Sequence, residues 1–134
     1  MLWILRIIAA VILLQTLYFK FTAHPESVAL FSKLHAEPWG RIGTGILELI
    51  TGILLLIPST TRFGAVLAFN LMNGAIASHL FVIGLESSGD GGKLFGLAIA
   101  VLICSIILLI HYKAQLSSDF DTFKQKWMAG NKKA

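Results

Sequence analysis

Four long apolar segments constrain the fold of this chain more than any other feature of its sequence. They lie near residues 2–21, 40–57, 63–85 and 94–112. Each approaches the ~20 residues with which a helix crosses the ~30 Å hydrocarbon layer of a bilayer. Charged residues make up only 13% of the chain, against about 25% in an ordinary soluble domain. The sequence therefore predicts an all-α, polytopic membrane protein whose transmembrane domain, residues 1–112, is a four-helix bundle.

A short segment between the first two spans has the pattern of a surface helix. Pro25 and Glu26 suit the first turn of a helix, and Val28 and Phe31 follow at helical spacing. We expect a short interfacial helix there, lying on the outer face of the membrane.

The segment after the fourth span, residues 113–134, is predicted to be a basic, amphipathic cytoplasmic tail. Its apolar side chains recur at helical spacing, and Ser118 is suited to cap a separate helix there. These apolar residues are Leu116, Phe120, Phe123 and Trp127. Lysines on the other face are expected to contact anionic lipid headgroups, which favours the lipid bilayer as a partner and not nucleic acid.

Basic residues predict how the bundle is oriented. Four spans leave both termini on one side, together with Arg6, Arg62 and the tail lysines. The smaller group on the other side consists of Lys20, Lys33, Arg41 and Lys93. Because cytoplasmic loops carry an excess of lysine and arginine, we expect both termini in the cytoplasm. No clear cleavage site follows the first span, so we expect that span to be retained.

Glu48 is the most unusual residue of the second span, because it lies within an otherwise apolar run. An ionised carboxylate at bilayer depth costs at least ~2.5–3.5 kcal/mol on insertion scales. It is therefore expected to have a partner, a proton or a function. Gly45 and Gly52 share its helix face and would allow a neighbouring helix to approach closely.

Other polar side chains are expected at the depth of Glu48. At ~1.5 Å of rise per residue, the outer half of the bundle contains Gln15, Asn73 and His79, and Lys20 lies at its rim. Glu48 and His79 are candidate catalytic residues that would exchange protons. The candidate cofactor-binding residues are Gln15, Lys20 and Asn73. Asn73 and His79 lie about 120° apart on their helix, so they are not expected to face the same point.

Simpler structural roles stay open for these residues. Glu48 could be a protonated or salt-bridged structural residue, and His79 could contact water near the interface. The amides of Gln15 and Asn73 could form interhelical hydrogen bonds, and Lys20 could be an interfacial anchor whose head reaches the headgroups.

Several classes of function are disfavoured by what the sequence lacks. Cys104 is the only cysteine, so the chain has neither an internal disulfide nor a CxxC motif for thiol redox work. The sequence also contains no metal-ligand pattern, nucleotide-binding loop or haem-attachment motif. We therefore expect no metal site, and no cofactor bound by this chain alone.

The pattern of the second and third spans resembles the DoxX family. The matching stretches are Glu48-Leu49 with Gly52 and Leu54-Leu55-Leu56, then Thr61-Arg62-Phe63-Gly64, with Lys20 and His79 at similar spacing. The resemblance covers about residues 3–112. It implies a small four-helix protein of the bacterial inner membrane. Named members of that family are small subunits of thiosulfate:quinone oxidoreductase or of a terminal quinol oxidase, and others are linked to oxidative-stress complexes or act as chaperone-like membrane factors.

Three functions follow as hypotheses. The first is an accessory subunit of a quinone-linked oxidoreductase, in which a polar pocket around Glu48 binds a quinone headgroup and a redox enzyme partner holds the cofactor. The second is a proton-coupled carrier of small solutes, for which one four-helix unit is small, so a homodimer would be needed. The third is a scaffold or assembly factor without catalytic activity, whose tail docks a peripheral enzyme.

Overall fold

Helices form every regular element of the part of the chain that the structure describes. The computed structural model describes residues 2–86 and 91–133, and residues 1, 87–90 and 134 lie outside it. The α-helices are α1 (Leu2–Gln15), α2 (Leu17–Phe21), α3 (Pro25–Lys33), α4 (Trp39–Leu56), α5 (Thr61–Ser78) and α6 (Lys93–Lys132). A 3₁₀ turn, Pro58–Thr60, precedes α5, and a π-helical turn, His79–Ile83, follows it. The prediction of an all-α fold is confirmed.

Four helical segments are long and apolar enough to cross a membrane, as the sequence predicts. They are Leu2–Phe21, Trp39–Leu56, Pro58–Ile83 and Lys93–Lys132. The first of these consists of α1 and α2, which are separated at Thr16. The third consists of the 3₁₀ turn, α5 and the π-helical turn. Two of the four spans are therefore less regular than their hydropathy suggests.

The short helix predicted between the first two spans is α3. Pro25 occupies its first turn, and the Nδ1 atom of His24 accepts a hydrogen bond of 3.3 Å from the backbone N–H of Glu26. Phe31 is the buried residue of α3. Its ring lies close to Gly40, where an added Cβ would be 3.5 Å from the Phe31 Cδ1 atom. Phe31 thereby packs α3 against the start of α4.

The expected separate tail helix is wrong, because α6 continues without a break through the tail. Its 40 residues run from Lys93 to Lys132, about 60 Å at 1.5 Å per residue and twice the thickness of the hydrocarbon layer. No proline or glycine occurs between positions 97 and 129 to interrupt it. Ser118 lies inside this helix, where its carbonyl accepts a 2.9 Å hydrogen bond from the Thr122 hydroxyl.

Small side chains fill the centre of the bundle, while large aliphatic side chains lie on its outside. The buried core includes Ala9, Ala10, Ala65, Ala68, Ala98 and Cys104, together with Leu13, Leu55, Met72, Val101 and Leu108. The exposed residues include Ile46, Ile50, Ile53, Ile103, Ile107 and Ile110. Helices in a membrane pack by close approach of small residues, because lipid already surrounds the large apolar ones. This distribution is therefore the one expected of a lipid-embedded bundle.

Two arginines tie the helices together at one end of the bundle, here called the tail end. The Arg6 guanidinium donates to the carbonyl oxygens of Leu55 (2.8 Å) and Leu56 (2.7 Å), which lie at the end of α4. These carbonyls have no partner within their own helix, and a cation there also complements the helix dipole. Arg62 at the start of α5 forms an ion pair with Asp119 of α6.

Gly64 allows the closest approach between α4 and α5. An added Cβ at this position would lie 2.8 Å from the Leu55 nitrogen and 3.0 Å from the Leu54 carbonyl carbon. Both atoms belong to the backbone, so neither can move aside without shifting the helix. Gly43 of α4 has no atom within 4 Å of the corresponding position.

We expect Gly64→Ala to destabilise the protein and Gly43→Ala to leave it unchanged or slightly more stable. Overpacking of this kind costs about 1–3 kcal/mol, whereas an unhindered Gly→Ala change within a helix gains about 0.5–1 kcal/mol. The melting temperature of each variant in mild detergent measures the difference. Equal melting temperatures for the two variants would show that α4 and α5 are not in this contact.

Candidate functional site

A buried ion pair joins the first two spans at the end of the bundle opposite the tail. The Lys20 Nζ atom on α2 lies 3.0 Å from the Glu48 Oε2 atom on α4. Only 11% of the lysine side chain and 8% of the glutamate side chain are exposed. The cation therefore offsets much of the cost of a carboxylate within the bundle. Of the roles considered for Glu48, the ion pair is the one that the structure contains.

Thr16 adds a third polar group to the pair. Its hydroxyl lies 2.9 Å from Glu48 Oε2 and 2.8 Å from the carbonyl oxygen of Leu13. One hydroxyl carries one hydrogen, so that hydrogen is shared between the two acceptors. Thr16 stands at the interruption between α1 and α2, which places its side chain one turn before Lys20 and on the same side of the span.

Arg41 supports the pair from the second span. Its Nε atom donates to both carboxylate oxygens of Glu37, at 2.8 and 3.0 Å, and its Nη1 atom donates to the backbone carbonyl of Lys20. Arg41 is buried. The cluster thus contains two cations, Lys20 and Arg41, and two anions, Glu37 and Glu48. Because the charges balance and each one belongs to an ion pair, burial of the cluster is tolerable.

A cavity of about 690 Å³ lies beside this cluster. Its wall is mostly apolar and includes residues of all six helices, such as Phe31, Leu71 and Ala98. The polar groups of the wall include Gln15, Thr16, Lys20, Glu48, Asn70, Ser78 and His79. Sites for small organic ligands have this character, with volumes of ≈ 300–1,000 Å³ and a few polar groups on an apolar wall. The cavity is therefore the candidate ligand site.

His79 lies on the same wall, in the last part of the third span, which ends at Ile83. It is buried, with its Nδ1 atom 3.0 Å from the Gly84 carbonyl oxygen and its ring 5.6 Å from that of Phe95. A carbonyl can only accept, so we assign the hydrogen to Nδ1, which makes Nε2 of the neutral ring an acceptor. The π-helical turn begins at His79, and such turns are frequent at functional sites.

The structure brings four of the five candidate residues to one cavity. Lys20, Glu48 and His79 are buried on its wall, and Gln15 contributes an exposed side chain. Asn73 is not on this wall. Its side chain is exposed and donates a 2.8 Å hydrogen bond to the Phe69 carbonyl of its own helix.

Asn70, one turn before Asn73, lies on the cavity wall, and its side chain donates a 2.8 Å hydrogen bond to the Val66 carbonyl.

Three residues of the polar cluster were not predicted from the sequence as site residues: Thr16, Glu37 and Arg41. The sequence does indicate an ion pair between Glu37 and Arg41, because these residues have opposite charges and lie four positions apart. Thr16 precedes Lys20 by the same interval, which places both on one helix face.

No group of three or more metal-ligating side chains occurs within residues 2–86 and 91–133. The cavity wall instead offers the carboxylates of Glu26 and Glu48, the ammonium groups of Lys20 and Lys93, several hydroxyl and amide groups, and an imidazole. Such groups can orient an organic headgroup by hydrogen bonds and can exchange protons with it.

The sequence model of the DoxX-like family matches residues 4–110. The chain belongs to the DoxX-like family. The match covers all four spans as far as the middle of α6, and it includes Lys20, Glu48 and His79. The comparisons with curated proteins and with solved structures found no match. Family membership and the four long apolar helices together make this DoxX-like chain a membrane protein.

A double-mutant cycle on Lys20 and Glu48 will measure their coupling in this DoxX-like protein. Removing one partner of a buried pair leaves the other charge uncompensated, at a cost of about 3–5 kcal/mol, whereas replacing both is often neutral. We therefore expect Lys20→Met and Glu48→Leu each to lower the melting temperature in detergent. The double variant should recover most of the loss.

The exposed tail carboxylate Asp121 provides a matched control, since Asp121→Asn removes a charge without a buried partner. Additive losses from Lys20→Met and Glu48→Leu would contradict the ion pair, because uncoupled sites add.

Proposed function

We propose that this DoxX-like protein is a small accessory subunit of a quinone-linked oxidoreductase, and that its cavity binds the quinone headgroup. The observation that carries the proposal is the meeting of an apolar cavity of about 690 Å³ with Lys20, Glu48 and His79 in one lipid-embedded bundle. A quinone has an apolar tail, a flat ring and two polar oxygens, so it suits a wall of this composition. Quinones also dissolve in the lipid phase that surrounds the helices.

The polar groups of the wall fit the chemistry that accompanies quinone reduction. Reduction by two electrons takes up two protons, one at each ring oxygen. The wall includes the carboxyl group of Glu48 and the imidazole of His79, and both kinds of group commonly act as general acids and bases. We propose that the electrons come from a redox cofactor held by a partner protein, and that this chain provides the quinone site.

We further propose that the protein lies in a bacterial inner membrane with both termini in the cytoplasm. Arg6 and Arg62 lie at the tail end of the bundle, which also carries the lysine-rich part of α6. The excess of positive charge at that end supports the orientation. The cavity would then lie in the half of the bundle nearer the outer face.

A side chain placed inside the cavity should prevent quinone binding. Gly74 lies on the cavity wall, and an added Cβ there would meet no atom within 4 Å. The side chain of a Gly74→Phe variant therefore begins in open space and should extend into the cavity. The matched control is Gly96→Phe, because Gly96 is equally unhindered but is not on the wall.

Binding can be followed through Trp39, which lies on the cavity wall. With Trp3 and Trp127 replaced by phenylalanine, a short-chain ubiquinone should quench Trp39 fluorescence with a saturable dependence on concentration. We expect Gly74→Phe to weaken this binding by more than tenfold and Gly96→Phe to leave it unchanged. Equal affinity in both variants would place any quinone site outside the cavity.

The exposed apolar face of the tail favours a second function, the docking of a partner enzyme. Phe120, Phe123 and Trp127 are 65%, 68% and 63% exposed, respectively. They lie on the part of α6 beyond the Arg62–Asp119 ion pair. Aromatic residues are enriched at the centres of protein interfaces. We propose that this face holds the redox partner, so that a scaffolding role and the quinone site belong to one complex.

Replacing Phe120, Phe123 and Trp127 together with serine should reduce the amount of any redox enzyme that co-purifies with the tagged protein from its native membrane. The control replaces Thr122 and Gln125, which lie on other faces of the same helix, with serine. The two purifications are compared by quantitative mass spectrometry. Unchanged recovery of a partner in the aromatic variant would show that the tail does not hold it.

A further inference from the structure

We infer that the cavity binds the reduced, hydroxyl form of its ligand, a quinol, more tightly than the oxidised, carbonyl form. This inference rests on the proposed function, because it concerns the redox state of the molecule that occupies the same site. It concerns binding alone and adds no chemical step. The observation behind it is that the two carboxylate oxygens of Glu48 have different hydrogen-bond partners.

The two carboxylate oxygens of Glu48 have different surroundings. Oε2 is 3.0 Å from the Lys20 ammonium and 2.9 Å from the Thr16 hydroxyl. Oε1 receives no hydrogen bond from residues 2–86 or 91–133. Within that part of the chain, no fully enclosed side-chain nitrogen or oxygen lacks a partner, so Oε1 must border open space. Glu48 lies on the cavity wall, and we infer that Oε1 borders the cavity.

A carboxylate oxygen can only accept hydrogen bonds, so the group that meets Oε1 must donate one. A quinol hydroxyl donates. A quinone carbonyl has lone pairs alone and would place them against those of the carboxylate. An acceptor facing an acceptor in a largely apolar cavity leaves both groups unsatisfied, which is more costly than a missing contact. Glu48 therefore distinguishes the two forms.

Lys20 reinforces this distinction without reversing it. Its ammonium has three N–H donors and lies 3.0 Å from Glu48 Oε2, and Lys20 also lies on the cavity wall. A ring hydroxyl can donate to Glu48 and accept from Lys20 at the same time. A ring carbonyl can satisfy Lys20 only. The hydroxyl form thus matches both members of the ion pair, and the carbonyl form matches one.

The experiment titrates a short-chain ubiquinone and the corresponding ubiquinol separately into the purified full-length protein, under argon, with calorimetric detection. We expect the quinol to bind at least about tenfold more tightly, the size of effect typical of a hydrogen bond to a charged group. A tenfold difference would raise the midpoint potential of the bound two-electron couple by about 30 mV. A redox titration of the bound couple gives a second, independent readout.

Glu48→Gln tests which residue makes the distinction. The amide keeps the shape of the side chain and adds N–H donors, so the ratio of the two affinities should fall towards one. Asp121→Asn in the exposed tail makes the same chemical change away from the cavity and should keep the ratio of the unmodified protein. If Glu48→Gln does not fold, the titrations of the unmodified protein still show whether the quinol binds more tightly than the quinone.

The outcomes separate this inference from the proposed function. Tighter binding of the quinol, with loss of the difference in Glu48→Gln, supports both. Equal binding of the two forms, or tighter binding of the quinone, overturns the inference and leaves the quinone site in place. Binding of neither form overturns the proposed function, and the inference with it. Tighter quinol binding that persists in Glu48→Gln overturns the role assigned to Glu48.

Discussion

The ion pair between Lys20 and Glu48 is the interaction on which the arrangement of this bundle depends. A carboxylate within the bundle needs a cation, and the cation comes from the end of the first span. Gly45 and Gly52 make the approach possible. An added Cβ would lie 2.9 Å from the Phe21 ring at Gly45 and 2.7 Å from Leu14 at Gly52. The small residues and the buried ion pair therefore both lie at the contact between the first two spans.

The two ends of the bundle are packed differently, and the cavity lies at the end that is packed less closely. At the tail end, alanines and leucines pack closely and Arg6 holds the end of α4. At the opposite end, the charged cluster and α3 lie between the spans, and the cavity occupies the space that they leave. The apolar core gives the bundle its stability, and the polar end provides groups that can bind a ligand. The proposed ligand site thus lies in the half of the molecule that is less closely packed.

Local patterns predicted the spans and the short helix α3, because each depends on residues near one another in the chain. The sequence also indicated Lys20 as a possible partner of Glu48, and the two form an ion pair. Local patterns could not show how each helix is rotated against its neighbours, and so Asn73 was expected at a site that Asn70 occupies. The cap expected at Ser118 failed for a related reason. A capping residue favours a helix start only where the preceding helix ends, and nothing in the sequence ends α6 there.

The most direct test of the account is to label the membrane-embedded protein with a photoreactive ubiquinone analogue and to map the modified peptides by mass spectrometry. We expect saturable labelling of the cavity wall, on residues 67–79 of the third span and 93–98 of the fourth, which excess unlabelled ubiquinone suppresses. Labelling spread over outward-facing positions such as Ile103, Ile107 and Ile110, and not suppressed by competitor, would contradict it. That result would mean that the quinone meets this protein only as part of the surrounding lipid.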